Sequence, residues 1–477
     1  MNKIAVIGCG ISGMIFSLLM AKKGLKVKLY EKSDGIINGS RAITYSQRTM
    51  EIFEEIECED VVSLNSCKWQ VAREYYNAKT IRKKNVVPNK ANVKYDSFYS
   101  QSQSIVHDRL LNRIKKENLI CLNLNSEVNS IKSEKGVYVL DVNGEKEIFD
   151  FVIAADGPNG ICKEFCNYSF KGERFDDSFL ICDFKTAQEL NEDREAWFDP
   201  PEHDGNLILK LKQPENTYRI DFHMRNETEV KNLNDDTVKA MVENFLGVDI
   251  ELKWWSVYKF RNARLEKFSL NRSLFFIGDS AHIVAPFGGR GANSAIEDAY
   301  NLSWKLKEYI NDKRRKDLID SYSYEREESA DINISYVKNA SKYIIPKELS
   351  ESLLRRAVLS LSHKSKSAKS LLDSGVMYNP SEYKKSYSCD SKVNYFQVDR
   401  LRYIPDFRLS ENFYLYDNLV SGEYNEIRFE DYVENGVSIL EKMLYEKGFL
   451  DVNHSSMNEC IKGILIRPDK YIESLVF

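Results

Sequence analysis

Cysteine is scarce and unpatterned in this chain of 477 residues. Its nine cysteines include no Cys-x-x-Cys pair, their number is odd, and a chain of this size needs no disulfide bonds to hold a core together. No cluster of His and Cys has the spacing of a zinc site. We therefore expect reduced thiols, no bound metal and a cytoplasmic location.

An excess of charge of either sign is also absent. Lys and Arg number 68 while Asp and Glu number 72, so the formal net charge is −4. The basic runs at residues 82–84 and 313–316 are short, and we interpret both as solvated surface. A nucleic-acid partner is therefore not expected.

Long hydrophobic runs are missing except near the N-terminus. Residues 4–21 are almost uncharged and follow Lys3, a pattern typical of a signal peptide or a short membrane span. Three glycines interrupt this run where a turn would be needed, so a strand followed by a helix explains it better. We therefore expect no membrane span.

These N-terminal residues have the pattern of a β-α-β unit. Residues 4–7 predict a buried parallel strand, residues 12–23 a helix, and residues 27–30 a second strand that ends at Glu31. The whole unit has the length of a mononucleotide-binding fold.

The loop between the first strand and the helix matches the G-x-G-x-x-G pattern. Gly8 would permit the tight turn, Gly10 would let a pyrophosphate approach the backbone, and Gly13 would let helix and strand pack closely. Glu31 would accept hydrogen bonds from the ribose hydroxyls of an adenosine. The alternative is that Glu31 is a surface acid that closes the strand.

A second glycine-rich block follows the apolar residues 274–277. Gly278-Asp279 comes first, and Gly288-Gly289-Arg290-Gly291 then opens a helix predicted over residues 291–311. A carboxylate at Asp279 could bond the ribityl chain of a flavin, and a helix N-terminus could stabilise the negative charge of a reduced flavin ring. Two nucleotide-binding elements far apart in the chain indicate one bound cofactor, and FAD fits best.

Polar residues that could act on a substrate alternate along residues 218–225. One face of this predicted strand is aromatic and aliphatic, while Arg219, Asp221, His223 and Arg225 lie on the other. If the polar face roofs a flavin, Arg219 and His223 could bind and activate an acidic hydroxyl. The simpler expectation is a solvated polar face over an aromatic core. His282 is interpreted as a structural histidine.

Taken together, these motifs resemble the class A flavoprotein monooxygenases of the p-hydroxybenzoate hydroxylase fold, nearest to the phenol-hydroxylase-like branch. The matching blocks are the N-terminal loop with Glu31, Arg41-Ala42 with residues 47–53, residues 155–158, and residues 278–306. Weaker matches are residues 322–326 and 464–472, the latter similar to the end of a thioredoxin-like appendage.

The resemblance implies an α/β fold in several parts. A Rossmann-like FAD-binding domain would comprise residues 1–169 and 266–345, with an inserted, mostly antiparallel β-sheet substrate domain over residues 170–265. Residues 346–399 would form a helical and loop connector. Residues 400–477 would form a short C-terminal module, with a thioredoxin-like remnant as one option.

The resemblance also assigns roles at the cofactor. Arg41 would touch the FAD pyrophosphate, Asp156 would lie where the FAD and NAD(P)H regions meet, and Asp279 would bind the ribityl chain. Pro286 and the 288–293 loop would line the flavin ring. The full set of implied cofactor-binding residues is Gly8, Gly10, Ser12, Gly13, Glu31, Lys32, Arg41, Gln103, Asp156, Gly157, Asp279, Pro286, Gly288, Gly289, Gly291, Ala292 and Asn293.

The implied reaction uses NADPH or NADH as a transient reductant, without a second G-x-G-x-x-G motif. Reduced flavin would react with molecular oxygen to give a C4a-hydroperoxide, which hydroxylates an aromatic or polyketide-like small molecule. A non-oxygenating flavin reductase or oxidase, and a flavin-binding subunit with a decayed active site, remain alternatives. A homodimer is an open alternative to a monomer.

Three positions depart from the family pattern. Gly160 stands where a Ser or Thr is usual, and Lys163 stands where an Arg is usual. A phenol hydroxylase can carry an acid beside the Arg41-Ala42 segment, and that position here is Ile43. The resemblance to a phenol hydroxylase therefore does not extend to phenol activation.

Overall fold

The protein is described here by a computed structural model. It covers residues 2–476 except for 38, 40–41, 78, 86–92, 96–97, 204–205, 226–229, 347, 373–376, 385–394, 411–412, 422, 435–436, 439, 441–442, 445–448 and 450–460. Arg41, which the motifs assigned to the pyrophosphate, lies outside the described residues.

Secondary structure is numbered in chain order over the described residues. The helices are α1 (Ile11–Lys22), α2 (Gln47–Glu55), α3 (Asp60–Ser63), α4 (Gln103–Ile114), α5 (Ile161–Cys166), α6 (Asp235–Leu246), α7 (Arg290–Asn311), α8 (Lys316–Ile344), α9 (Leu349–Ser362) and α10 (Lys366–Ser370). The strands are β1 (Ile4–Ile7), β2 (Val27–Tyr30), β3 (Thr44–Tyr45), β4 (Cys67–Trp69), β5 (Val71–Tyr76), β6 (Lys79–Asn85), β7 (Phe98–Ser100), β8 (Ile120–Asn123), β9 (Val128–Glu134), β10 (Val137–Val142), β11 (Glu145–Phe149), β12 (Phe151–Ala154), β13 (Phe170–Lys185), β14 (Arg194–Phe198), β15 (Leu207–Lys212), β16 (Thr217–Met224), β17 (Glu251–Leu265), β18 (Ser269–Leu270), β19 (Leu274–Phe276), β20 (His282–Ile283), β21 (Tyr395–Tyr403), β22 (Arg408–Ser410), β23 (Phe413–Tyr414), β24 (Asn425–Arg428), β25 (Val433–Glu434), β26 (Val437–Ser438), β27 (Gly463–Ile466) and β28 (Tyr471–Val476).

The N-terminal β-α-β unit belongs to a six-stranded sheet in the order β18-β19-β12-β1-β2-β8. Its strands pair in parallel except for β18 at one edge. Every residue of β1 and β12 is buried, because both strands lie inside the sheet and α1 packs with α7 beside them. This topology brings the ends of β1 and β19 to the same edge of the sheet.

A second, eight-stranded sheet has the order β20-β17-β13-β16-β15-β14-β5-β6. Its pairs are antiparallel except for β14 with β5, which are parallel. One face packs against α6 through residues such as Phe222 and Val238. The β5–β6 hairpin, residues 71–85, adds two strands to this sheet from the part of the chain that was assigned to the FAD-binding domain.

The C-terminal residues form a four-stranded sheet in the order β21-β28-β27-β24, with antiparallel pairing throughout. Its core includes Ile404, Phe429 and Ile464. Arg467, at the end of β27, reaches out of this module and donates to both carboxylate oxygens of Glu325 in α8, at 2.9 and 3.0 Å. The thioredoxin-like assignment stays a prediction.

The predicted fold class, α/β with a Rossmann-like part and a mostly antiparallel sheet, is confirmed. Within the described ranges, no helix combines the length and the apolar character that crossing a bilayer requires. Among the same residues, no group of three or more His, Cys, Asp or Glu side chains is arranged to hold a metal ion.

Candidate functional site

The loop after β1 has the geometry that its glycines predict. Gly8 has a φ of +105°, and a Cβ there would lie 2.2 Å from the carbonyl oxygen of Ala155. A Cβ at Gly13 would lie 2.2 Å from the carbonyl oxygen of Gly8. At Gly10, by contrast, a Cβ would meet no protein atom within 4 Å. Packing therefore requires Gly8 and Gly13, whereas Gly10 keeps one side of the loop open.

Glu31, at the end of β2, turns its carboxylate toward this loop. Oε2 accepts a hydrogen bond from the Cys9 N–H at 3.0 Å, and Oε1 accepts from the N–H and hydroxyl of Ser33 at 3.0 and 2.8 Å. The carboxylate is thus held against the open side of the loop rather than projecting into solvent. The next residue, Lys32, is exposed.

The two glycine-rich blocks meet in space. Gly278 begins a tight turn over Gly278–Ser280 with a φ of +60°, and a Cβ there would lie 2.6 Å from the hydroxyl oxygen of Ser12 in α1. Asp279 follows in the same turn and is exposed. Segments some 270 residues apart in the chain therefore form one site, with Glu31 at one end and Asp279 beside the contact.

A buried carboxylate, Asp298 in α7, holds the Gly278 turn in place. Its Oδ2 accepts from the Gly278 N–H at 3.0 Å and contacts His282 Nε2 at 2.6 Å, while its Oδ1 accepts from Arg326 Nε at 2.6 Å. Burial alone would raise the pKa of Asp298, but His282 and Arg326 outweigh it and lower the pKa. His282 is therefore engaged in positioning the loop.

Asp156 makes a second connection at the end of β12. Its Oδ2 accepts from the Cys162 N–H at 3.1 Å, and its Oδ1 accepts from the Ser280 hydroxyl at 3.0 Å. The Gly157 N–H also donates to that hydroxyl, at 2.7 Å. A Cβ at Gly160 would lie 2.0 Å from Asp156 Cγ, so the carboxylate fills the space that a Ser or Thr would need. This contact is the physical reason for the departure at residue 160.

The start of α7 is shaped by Gly288 and Gly289, whose φ angles are +85° and +65°. No side chain caps this helix start. Asn293 in the first turn is fully buried and bonds the segment around β3. Its side chain accepts from the Ser46 N–H at 2.9 Å and donates to the Thr44 carbonyl at 3.0 Å. Asn293 therefore ties the loop to β3 from the protein side.

The remaining predicted cofactor residues lie around these loops. Gln103, the first residue of α4, accepts from the Ala42 N–H at 2.9 Å through Oε1, next to the segment that contains Arg41. Pro286 is exposed in the loop before α7, and Gly291 and Ala292 are half-buried in its first turn.

This arrangement fits FAD. Two helices, α1 and α7, begin at glycines without a side-chain cap, so their first N–H groups can bind anionic oxygens. Carboxylates at Glu31 and Asp279 can accept hydrogen bonds from sugar and polyol hydroxyls. The open side of Gly10 allows the close backbone approach that a pyrophosphate needs.

The other face of the eight-stranded sheet covers the α7 loop, and we call it the roof face. Across β13 and β16, Phe179 lies opposite His223, Ile181 opposite Asp221, and Asp183 opposite Arg219, and all six side chains share this face. The ring of Phe287, from the loop before α7, packs edge-on against Phe179 with centroids 5.7 Å apart. A Cβ at Gly39 would lie 2.6 Å from the Trp254 ring on the same face.

The expectation that this polar face is solvated is wrong. Arg219 is 2% exposed and His223 is fully buried, because the roof face packs against the loops of the first domain rather than facing water. Arg219 donates from Nε and Nη2 to the two oxygens of Asp183, both at 2.8 Å. His223 Nε2 lies 3.1 Å from Asp177 Oδ1, and burial lowers the pKa of His223.

Sequence reasoning missed several residues of this region. Glu74 and Arg194 lie on the roof face because β5 and β14 join the sheet, and no local pattern predicts that pairing. Ile43, Trp69 and Leu211 form a small apolar cluster beside it. Asp298 lies within the motif block, but its contact with Gly278 is a tertiary one.

The fold and these two loops define a flavin-binding α/β protein of the monooxygenase type. The profile of the FAD-binding-domain family matches residues 1–335, and the chain belongs to that family. The predicted membership in the class A flavoprotein monooxygenases, with FAD as the cofactor, is confirmed.

Two curated relatives illustrate the similarity. The chain is 24% identical over 343 residues to a flavin-dependent monooxygenase of Mycobacteroides abscessus. The aligned stretch covers 68% of this chain and 70% of the relative. The chain is 25% identical over 366 residues to a 3-(3-hydroxy-phenyl)propionate/3-hydroxycinnamic acid hydroxylase of Escherichia coli, covering 75% of this chain and 65% of that enzyme. The chain thus spans about two thirds of the length of these relatives.

A solved structure extends the likeness to the C-terminal module. The flavin-dependent monooxygenase PieE, solved in complex with FAD and substrate, superposes with a TM-score of 0.74 at 14% identity. The match covers 99% of this chain and 95% of PieE. At this identity the likeness concerns the fold.

Proposed function

We propose that this protein is an FAD-dependent monooxygenase that uses NADPH or NADH and O2 to hydroxylate an aromatic or polyketide-like small molecule. The observation that carries the proposal is the meeting of the two glycine-rich blocks at Gly278 and Ser12, directly below a buried roof face. The cofactor loops and a buried sheet face that carries aromatic side chains thus lie side by side.

The loops described above would hold FAD by its two ends. Backbone N–H groups at the start of α1 would bind the pyrophosphate, Glu31 the adenosine ribose, and Asp279 the ribityl chain. The start of α7 would face the pyrimidine end of the flavin ring, where its partial positive charge stabilises the reduced state. Bound FAD would supply electron transfer from NAD(P)H and the activation of oxygen.

The protein's own contribution is to enclose and orient the substrate. Phe179 and Phe287 close the space between the roof face and the α7 loop with aromatic surface. Buried surroundings exclude water from a reactive site and strengthen electrostatic interactions inside it. Arg219 and His223 stay proposed substrate-facing residues, and the bidentate pair with Asp183 gives Arg219 a fixed position there.

The names of the relatives support the choice of substrate class. The Escherichia coli relative is a 3-(3-hydroxy-phenyl)propionate/3-hydroxycinnamic acid hydroxylase, and Phe179 and Phe287 present aromatic surface between the roof face and the α7 loop. We therefore propose a hydroxylated aromatic compound as the substrate class. Homodimer formation and a cytoplasmic location are further proposals from the sequence.

The test begins with the absorbance spectrum of the purified protein, which should show a bound flavin. The holoenzyme is then mixed with NADPH or NADH under air, with and without 3-(3-hydroxyphenyl)propionate. Faster nucleotide oxidation with the aromatic compound, together with a hydroxylated product in the mass spectrum, is the expected result. Nucleotide oxidation that yields only hydrogen peroxide would favour an oxidase, and a flavin that neither nucleotide bleaches would favour a decayed subunit.

A further inference from the structure

Two charged side chains on the roof face form no side-chain hydrogen bond with the described residues. Asp221, in the middle of β16, has an Oδ1 that is buried without a hydrogen-bond partner in the described part of the chain. Arg194, at the start of β14, is 7% exposed and forms no side-chain hydrogen bond or ion pair with the described residues. Buried polar groups in native proteins are normally paired, so both demand an explanation.

The neighbouring charges form hydrogen bonds within the protein. Arg219 forms its bidentate pair with Asp183, Arg82 donates to Glu74 and to the Leu372 carbonyl, and Arg355 donates to Asp199 at 2.6 Å. Glu74 Oε2, Arg82 Nε and Arg355 Nε are also buried without a hydrogen-bond partner, but each of these side chains keeps another hydrogen bond, which Asp221 and Arg194 do not have within the described residues.

The strand register places these two groups on the same face. Asp221 lies opposite Leu209, and Leu209 lies opposite Ala196, so these three residues form one row across β16, β15 and β14. Arg194 is two residues before Ala196 and therefore projects from the same face. Ala196, the smallest side chain of the row, is fully buried.

Exposure differs along this row. Leu209 is 8% exposed and Ala196 is fully buried, whereas Asp221 is half-buried. Of these three residues, Asp221 is therefore the one that another molecule can most readily reach. The nearby cluster of Ile43, Trp69, Phe98 and Leu211 gives this region an apolar, aromatic wall.

The electrostatics of Asp221 suit proton exchange near neutral pH. Burial, assisted by the nearby Asp183, raises the pKa of Asp221 to about 7, although Arg219 and Arg194 act to lower it. Charged and titratable groups of the surrounding strands are Asp177 and Asp183 on β13, Arg219 and His223 on β16, Arg194 on β14, Glu74 on β5, Arg82 on β6 and Tyr258 on β17.

We propose that Asp221 accepts the proton of a phenolic hydroxyl of the substrate and that Arg194 binds the resulting oxyanion. In this step the substrate O–H bond breaks, its electron pair stays on the oxygen, and the proton forms a new O–H bond on the Asp221 carboxylate. The phenolate is more electron-rich than the phenol and is the better acceptor of an electrophilic oxygen atom. The inference rests on the proposed function and names the ionisable group that this site recognises.

A base at Asp221 would compensate for the lack of an acidic side chain at residue 43. Ile43 stands beside Ala42, at the position where a phenol hydroxylase can carry an acid, and it packs against Leu211 of the roof sheet. Asp221 supplies a carboxylate from the opposite wall. Arg219 is less suited to bind the oxyanion, because Asp183 already takes its Nε and one terminal nitrogen.

The first test uses 4-nitrophenol as a binding probe, because its anion is coloured and its neutral form is not. At pH 8, where a carboxylate with a pKa of about 7 is ionised, the wild-type holoenzyme should bind the coloured anion and take up about one proton from the buffer, because Asp221 holds a proton beside the bound oxyanion. Binding of the anion without proton uptake, a probe bound in its neutral form, or no binding of this phenol would each overturn the proposal.

Variants test the same step during turnover. With 3-(3-hydroxyphenyl)propionate, Asp221→Asn should lower kcat by roughly 10²- to 10⁴-fold, the range for a lost general base, and should remove the corresponding limb of the pH profile. Arg194→Met should weaken probe binding by at least about tenfold and abolish the proton uptake, while Arg194→Lys should restore part of both. The exposed Asp236→Asn, on α6 behind the same sheet, is the matched control.

Two outcomes separate this inference from the proposed function. If the wild-type enzyme hydroxylates the compound and Asp221→Asn keeps its rate and pH profile, the role of Asp221 is wrong while the monooxygenase proposal stands. If the wild type oxidises no nucleotide and forms no product, the proposed function fails, and the proton-uptake measurement with 4-nitrophenol still decides the role of Asp221. Flavin content and thermal unfolding of each variant show whether it is folded.

Discussion

His282 Nε2 lies 2.6 Å from Asp298 Oδ2, and the same carboxylate oxygen accepts the hydrogen bond of the Gly278 N–H at 3.0 Å. The histidine that we interpreted as structural from the sequence therefore helps to hold the turn that carries Asp279. Its ring also stacks on Phe268, with centroids 6.0 Å apart. The role of this pair is to position the cofactor loop.

Replacing Asp298 with Asn should destabilise the protein strongly. The change removes one of the two carboxylates that the fully buried Arg326 contacts among the described residues and leaves it only Glu297, at 3.2 Å; breaking one side of a buried ion pair costs about 3–5 kcal/mol. The measurement is the free energy of unfolding by urea, followed in parallel with flavin content. A loss below about 1 kcal/mol, in the range of an exposed pair, would contradict this account.

Alanine at Gly8 and at Gly10 should have different effects. Gly8→Ala should destabilise the fold by at least about 1–3 kcal/mol, since its φ is +105° and the Cβ would collide with the Ala155 carbonyl. Gly10→Ala should leave the apoprotein as stable as the wild type, because its Cβ meets no protein atom, but should lower FAD occupancy at least tenfold. Thermal unfolding of the flavin-stripped proteins and flavin absorbance after gel filtration measure the two effects.

Removing the Asp279 carboxylate should release the flavin without unfolding the protein. Asp279 is exposed in the Gly278–Ser280 turn, so Asp279→Ala should change the unfolding free energy of the apoprotein by no more than about 0.5 kcal/mol. Its purified form should be colourless or bleach on dilution. Asp249→Ala, at another exposed position, is the control. A variant that stays fully yellow would show that the ribityl assignment is wrong.

Acid should weaken the attachment of the C-terminal module. Burial alone would raise the pKa of Glu325, but Arg467 and Lys305 outweigh it and lower the pKa below that of an ordinary glutamate. Because its pKa is lowered in the folded state, the ionised Glu325 stabilises the fold at every pH above its unfolded-state pKa, near 4.5. This contribution to stability is lost as the pH falls toward the folded-state pKa.

The corresponding variant is Glu325→Gln, which removes the charge that Arg467 contacts at 2.9 and 3.0 Å. Near pH 7 it should lose about 3–5 kcal/mol of stability, as expected for a broken buried ion pair. The difference from the wild type should shrink as the pH is lowered below 4.5. A difference that is constant from pH 7 to pH 3 would exclude the electrostatic explanation. Urea unfolding at each pH provides the comparison.

Local sequence patterns were sufficient for the cofactor loops. The strand at Ile4–Ile7, the glycines at positions 8 and 13 and the acid at Glu31 obey rules that act over a few residues, because turn sterics and helix packing leave few alternatives. The same holds for Gly288 and Gly289, whose positive φ angles a glycine-rich loop anticipates.

Contacts between distant segments were not predictable from one sequence. The departure at Gly160 has its cause in the Asp156 carboxylate, and the strand containing Arg194 joins the roof sheet through a parallel pairing with β5, more than a hundred residues earlier in the chain. Alternation along residues 218–225 assigned the two faces correctly. It could not tell which of them would be covered by another domain.

The sequence by itself determined that this chain binds a dinucleotide through two glycine-rich elements, because the steric requirements of such loops are written in neighbouring residues. Only the tertiary structure decided that these elements meet at Gly278 and Ser12, and that Asp221 and Arg194 lie unpaired within the roof face. The reason is physical: burial and pairing of a charge depend on which distant strands cover it, and strand pairing across domains leaves no local signature.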